Sequence, residues 1–148
     1  MNRRTLLSVV AAATAGLFSC APSQAKGDFP AGSPAFQTDY NTALAVAAKE
    51  GKPLLVVFSA TWCGPCQVNK KKVYPSEAVK AYHDKFVWVY LDTDVEANGE
   101  VFKKFSKEGS IPHIQFLTKS GKSLDSMLGQ TTPDAMATKL KAVLAKAK

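Results

Sequence analysis

Pro53-Leu54-Leu55-Val56-Val57-Phe58-Ser59-Ala60 runs without a break into Thr61-Trp62-Cys63-Gly64-Pro65-Cys66. A short apolar run following Gly51 and ending at turn-forming residues predicts a strand over 54–59, covered by helices on both faces. A helix opening at the end of that strand would place Cys63 among unpaired backbone N–H groups at the positive end of the helix dipole. That setting favours the thiolate, lowers the thiol pKa and makes Cys63 a nucleophile. Cys66, one turn later, shares its helical face and can close a disulfide with Cys63 or attack a mixed disulfide formed there. Gly64 lets a partner chain approach closely, and Pro65 has the φ angle and missing N–H that a first helical turn tolerates. The stretch reads as a dithiol redox centre.

Upstream, Arg3 and Arg4 precede an apolar segment, Leu6 to Phe18, and then small and polar residues. This is the pattern of an export signal over residues 1–25, too short to stay in a bilayer as a spanning helix. Two endings compete. Ser23-Gln24-Ala25 resembles an ordinary signal-peptidase site, and Leu17-Phe18-Ser19-Cys20 a bacterial lipobox in which Cys20 carries lipid. Asn2-Arg3-Arg4-Thr5-Leu6-Leu7 also has the look of a twin-arginine signal. Residues 26–37, with Gly, Pro and Ser and few large apolar groups, read as a tether. Residues 38–148 form one domain, since 148 residues with 46% hydrophobic content supply a single sizeable core.

Three cysteines are present, and Cys20 is either removed or consumed by lipid, so the domain keeps one pair. An exported protein that uses disulfides as struts carries more of them at wider spacing, and a loop this short adds little chain-entropy stabilisation. A structural staple is therefore the weaker reading. One CxxC with two distant histidines, His83 and His113, supplies too few ligands for a zinc site, so no metal is expected. Without Arg3 and Arg4 the chain has 17 lysines against 12 carboxylates. That moderate excess, with no arginine and no basic stripe interleaved with aromatics, argues against nucleic-acid binding. Lys70-Lys71-Lys72 reads as a solvated helix face that would also raise the positive potential near the dithiol.

The remaining elements follow from periodicity and punctuation. Asp39 to Glu50 has helical spacing of Tyr40, Leu44 and Ala47 or Ala48, closed by Gly51. The helix from Cys63 is interrupted near Pro75 and restarts at Ser76, carrying Val79 and Tyr82 inward. Phe86 to Leu91 is a strand rich in aromatic and β-branched residues. Asn98 to Lys107 is a helix presenting Val101, Phe102 and Phe105. Ile114 to Phe116 is a strand, Lys119-Ser120-Gly121-Lys122 a hairpin turn, and Ser123 to Leu128 the return strand, followed by a break at Gly129. Thr132-Pro133-Asp134 opens a last helix with Met136, Leu140, Val143 and Leu144 on one face. The order gives an α/β fold with the cysteines at the carboxyl end of a central strand.

Over residues 38–146 the chain resembles the thioredoxin superfamily. The resemblance rests on Trp62-Cys63-Gly64-Pro65-Cys66, on Ile111-Pro112, and on Phe116, Gly121 and Gly129 before an amphipathic helix. Val73-Tyr74-Pro75-Ser76, Phe86-Val87 and Asp92-Thr93-Asp94 resemble its exported branch, which includes the thioredoxin-like terminal domain of a transmembrane thiol reductant transporter. The resemblance implies a thioredoxin fold, with a central four- to five-stranded mixed sheet flanked by helices. It makes Cys63 the attacking and Cys66 the resolving thiol, with Trp62, Gly64, Pro65 and Pro112 supporting the site. Pro112 would be a cis-proline packed on the disulfide, leaving the Ile111 backbone free to pair with an extended substrate, and Trp62 would flank the site and cover the sulfurs.

One departure stands out. The buried aspartate of thioredoxins falls on Val57, and its lysine partner on Trp88 by this reading, so the proton acceptor for Cys66 passes to water or to another group such as His113, although an ordinary strand position for His113 is the plainer expectation. His83 is expected on an exposed helix face. The Gly-Pro dipeptide resembles that of reducing thioredoxins, near about −270 mV, rather than that of strong oxidants near about −120 mV. The implied activity is a thiol–disulfide oxidoreductase of the bacterial envelope that reduces or exchanges disulfides in exported proteins. It would act as a monomer without organic cofactor, be recharged by a membrane thiol reductant donor, and touch the membrane only through lipid at Cys20. A disulfide oxidase or isomerase and a non-catalytic peptide-binding module are the alternatives.

Overall fold

The computed structural model describes residues 28–147. The export-signal reading, with Arg3, Arg4 and Cys20, lies outside the described residues. Helix α1, Tyr40–Glu50, starts at Asp39, whose carboxylate accepts from Thr42 N–H at 2.7 Å, and ends at Gly51 with φ 69°. The left-handed angle suits glycine, which has no Cβ to clash. Strand β1 is Leu54–Ser59 and is buried throughout, as its unbroken apolar run requires. Helix α2, Gly64–Val68, passes without a break into a π-helical turn, Asn69–Val73. Ser76 then caps a short α3, Glu77–Lys80. After a 3-10 turn at His83–Lys85 come β2, Val87–Asp92, and α4, Glu96–Phe105. Strands β3, His113–Leu117, and β4, Ser123–Leu128, form the hairpin, and α5 runs from Pro133 to Lys146.

The sheet order is β2-β1-β3-β4, with β1 parallel to β2 and antiparallel to β3, and β4 antiparallel to β3. Alternation along β1 divides the core. Leu55 and Val57 face Tyr74, Val79, Met136, Leu140 and Val143, on the side of the π-helical turn, α3 and α5. Leu54, Val56 and Phe58 face Ala43, Ala47 and Phe102, on the side of α1 and α4. The result is the thioredoxin fold, a four-stranded mixed sheet between two helical layers.

The tether reading of residues 26–37 needs correction where these residues are described. Gln37 N–H donates to Trp88 O at 2.8 Å and Tyr90 N–H donates to Gln37 O at 2.8 Å, a one-residue parallel bridge on the outer edge of β2. Phe36 is buried among Tyr74, Trp88 and Tyr90, and Phe29 stacks on it with centroids 4.6 Å apart. Two aromatic rings supply enough apolar area to dock a segment that is otherwise small and polar. The fifth-strand position is thus held by a single residue, which also shields an edge that would otherwise offer free backbone groups.

Candidate functional site

The dithiol sits where the central strand meets α2. Cys63 and Cys66 are joined in a disulfide with Cα atoms 5.2 Å apart. Cys63 is the N-cap of α2 and its Sγ accepts from Cys66 N–H at 3.3 Å. Cys63 N–H donates to Ala60 O, and Gln67 anchors the other side by donating from Nε2 to the same carbonyl at 3.0 Å. Pro65 occupies the first turn of α2 without wasting a donor, and Gly64 has nothing within 4 Å of where a Cβ would stand. That open space leaves the approach to Cys63 clear.

Cys63 is little exposed in this disulfide state: 6% of its surface is accessible, against 2% for Cys66. Cys63 is the more accessible residue of the pair, and it stands next to the open space at Gly64. Ala60, Cys63 and Cys66 form a compact apolar cluster with the side chain of Ile111 against it. The Ile111–Pro112 bond is cis, and Pro112 is buried. Pro112 O accepts from Gly129 N–H at 2.8 Å, which binds the segment before β3 to the end of β4.

Trp62 is not a core aromatic. It is 70% exposed, and its indole N–H donates to Asp94 Oδ2 at 2.9 Å. The loop after β2 therefore fixes the ring beside the dithiol while leaving its faces to solvent. Lys71 and Lys72 point outward as expected, but Lys70 lies over the Phe29 and Tyr90 rings, 4.6 and 5.6 Å from their centroids. Cation–π contact has taken it from the solvated face.

The register corrects one reading, the residue that faces Val57 across the strands. The partner of Val57 across β2 is Tyr90, and Trp88 lies opposite Leu55. Tyr90 sets its hydroxyl 2.6 Å from Ser59 Oγ, so a hydroxyl pair lies beside the apolar Val57. Burial holds the Tyr90 phenol above its usual pKa, against hydrogen bonding from Ser59, so the pair stays neutral near neutrality. Trp88 is buried on the same face, with its indole N–H unpaired.

His113, the candidate proton acceptor, occupies an ordinary buried strand position. Its ring stands edge-on to Phe58 and Phe102 on the α1–α4 side, with Nε2 3.2 Å from Gln115 Oε1. His83 is not simply exposed either: Nε2 lies 2.8 Å from Tyr74 O and the ring stands edge-on to Trp88. Among the described residues no three His, Cys, Asp or Glu side chains gather where they could hold a metal ion. Sequence reasoning missed Asn69, a fully buried amide in the π-helical turn, because a polar residue leading three lysines reads as surface.

A family model described as Thioredoxin-like matches residues 35–119, more than half of the chain. The thioredoxin-like protein HCF164 of Arabidopsis thaliana chloroplasts is 34% identical over 84 residues, covering 57% of this chain and 31% of that protein. The thiol:disulfide interchange protein DsbD of Pseudoalteromonas atlantica is 30% identical over 87 residues, 58% of this chain and 15% of that protein. The chain thus spans a third or less of the length of these two curated relatives. A thioredoxin from Thermus thermophilus superposes with a TM-score of 0.67 at 23% identity, covering 74% of this chain and 87% of that one. At that identity the superposition speaks for the fold.

Proposed function

We propose, from the premise that this chain belongs to the thioredoxin-like family, that it is a thiol–disulfide oxidoreductase that reduces disulfides in exported proteins of a bacterial envelope. The observation that carries the reading is the placement of Cys63–Cys66. The pair lies at the carboxyl end of the central strand, with the more accessible cysteine at the helix mouth and Ile111-Pro112 alongside.

In the reduced protein, Cys63 thiolate is stabilised by the Cys66 N–H that its sulfur already engages. It attacks one sulfur of a substrate disulfide along the S–S axis. That bond breaks, the far sulfur leaves as a thiolate and takes a proton, and a Cys63–substrate mixed disulfide remains. Cys66 gives its proton to water, since His113 faces the other side of the sheet. Its thiolate then attacks Cys63 Sγ and expels the second substrate thiolate. Two electrons have passed to the substrate, and the Cys63–Cys66 disulfide is restored.

Trp62, Gly64, Pro65 and Pro112 shape the approach, and Ile111 offers its backbone to an extended substrate segment. No organic cofactor or metal enters these steps. A membrane thiol reductant donor would return the two electrons. The export reading draws its support from the Arg3-Arg4 and apolar pattern of residues 1–25, with lipid at Cys20 or cleavage after Ala25 as its two forms. No helix among the described residues is long and apolar enough to cross a membrane.

The test is trapping. Cys66→Ser in bacterial envelopes should hold exported proteins on Cys63 as mixed disulfides that dithiothreitol releases. Absence of such adducts overturns the reading. A redox titration decides direction: a potential below about −180 mV fits a reductant, and one above it makes the protein an oxidase.

A further inference from the structure

Asn69 stands out among the buried polar groups because its side chain ties the turn that follows the dithiol helix to the end of β4. The residue opens the π-helical turn that continues α2, and its own N–H donates to the carbonyls of Pro65 and Cys66. Its side chain crosses to the end of β4, where Nδ2 donates to Gly129 O at 3.3 Å and Oδ1 accepts from Thr131 N–H at 3.0 Å. Gly129 N–H in turn donates to Pro112 O at 2.8 Å. A continuous chain of hydrogen bonds therefore runs from the helix bearing the dithiol, through one amide, to the β4–α5 segment and on to Pro112. Among the described residues no other side-chain hydrogen bond joins α2 or the π-helical turn to residues 129–132.

Asn69 is fully buried, and its two contacts use one donor and one acceptor, so losing the amide leaves the Gly129 carbonyl and the Thr131 N–H without this protein partner. Gly129 has φ 80°, an angle open to glycine, and the segment 129–132 supplies backbone groups rather than packed side chains. Asn69 is the side chain that ties this segment to the turn following the dithiol helix. The π-helical register matters too, because Asn69 O accepts from Tyr74 N–H at 3.1 Å, five residues on, and this widened turn fixes the direction of the side chain.

We propose that Asn69 is a positioning residue that seats polypeptide substrates, by holding the Gly129 and Pro112 segments at a fixed offset from Cys63. The inference deepens the dithiol reading above and rests on it. A small disulfide needs only to reach Cys63, whereas a polypeptide must lie against the flanking backbone as well. Losing the bridge therefore acts on binding of the large substrate and leaves the thiol chemistry in place.

The experiment compares N69L, close in volume but unable to make either bond, with the wild-type protein in steady-state reduction of insulin and of 5,5′-dithiobis(2-nitrobenzoate). The KM for insulin should rise about tenfold, with kcat changed less than about threefold and the small-disulfide rate less than about twofold. If N69L fails to fold, N69S, smaller and polar, should show the same split. Equal losses on both substrates, or an unchanged KM for insulin, would overturn the inference and leave Asn69 a structural tie. Wild-type protein inert toward both disulfides would overturn the dithiol reading itself, and this inference with it.

Discussion

The two faces of β1 pack the same sheet with different chemistry. On the α1–α4 side, Leu54, Val56 and Phe58 meet Ala43, Ala47 and Phe102, and the polar residues, His113 and Gln115, bond to each other. On the α3–α5 side, Leu55 and Val57 share the face with Ser59, Tyr90, Tyr74 and the Asn69 bridge. One face is a packing surface that has enclosed its histidine. The other carries the hydroxyls and the amide that adjoin the dithiol. The lesson is that nearness in sequence to Pro112 does not make His113 part of the site, because one step along a strand moves a side chain through the sheet.

The largest effect should come at the junction of the two faces. Cys63→Ser should bring insulin reduction to the uncatalysed level, a loss of at least about a hundredfold. Any remaining turnover would mean that Cys66 attacks substrate by itself, against its role as the resolving thiol.

Next in size is a substitution on the packing face. Phe58→Ala deletes a fully buried ring set against Phe102 and should cost about 3–5 kcal/mol in urea unfolding, leaving the alkylation rate of Cys63 unchanged in the folded protein. A changed rate would erase the distinction between the faces.

A smaller effect belongs to the α5 docking on the other side. Asp125 bonds Lys146 at 2.7 Å and Lys139 at 3.2 Å, and the Lys146 bond foremost holds its carboxyl down to about 2. A carboxyl with a lowered folded-state pKa stabilises the fold above its unfolded value, near about 3.9, and loses that contribution as pH falls toward about 2. Because Lys146 is half exposed, solvent screening reduces the contribution to about 1 kcal/mol. Asp125→Asn should show that loss at pH 7 by denaturant midpoint, and a much smaller one at pH 2.

The smallest effect is expected at His113. His113→Leu removes a buried ring whose Nδ1 has no partner, and should leave the pH profile of insulin reduction superimposable on that of wild type. A lost inflection would restore His113 as a proton carrier and blur the contrast between the faces.

Much of this was legible in the chain. Strand β1 matches its unbroken apolar run, and β4 its turn at 119–122. The last helix starts at Thr132, whose hydroxyl accepts from Ala135 N–H as the Thr-Pro-Asp pattern implies. Local rules govern such features. The partner of Val57 was not legible, because 87–92 is apolar on both faces and its pattern is the same after a two-residue slip. Docking of Phe29 and Phe36 depends on the aromatic surface of Trp88, Tyr74 and Tyr90, which exists only once the sheet is assembled. Asn69 was hidden for the same reason: a buried amide and a surface amide have the same letter, and its partners lie 60 and 62 residues away.

The most direct test of the account is the pH dependence of Cys63 alkylation in the reduced protein, read by mass spectrometry with Cys66→Ser as control. Cys63 should titrate below the ~8.5 of a free thiol and be modified before Cys66. A Cys63 that titrates at or above about 8.5 and reacts no faster than a free cysteine would contradict it.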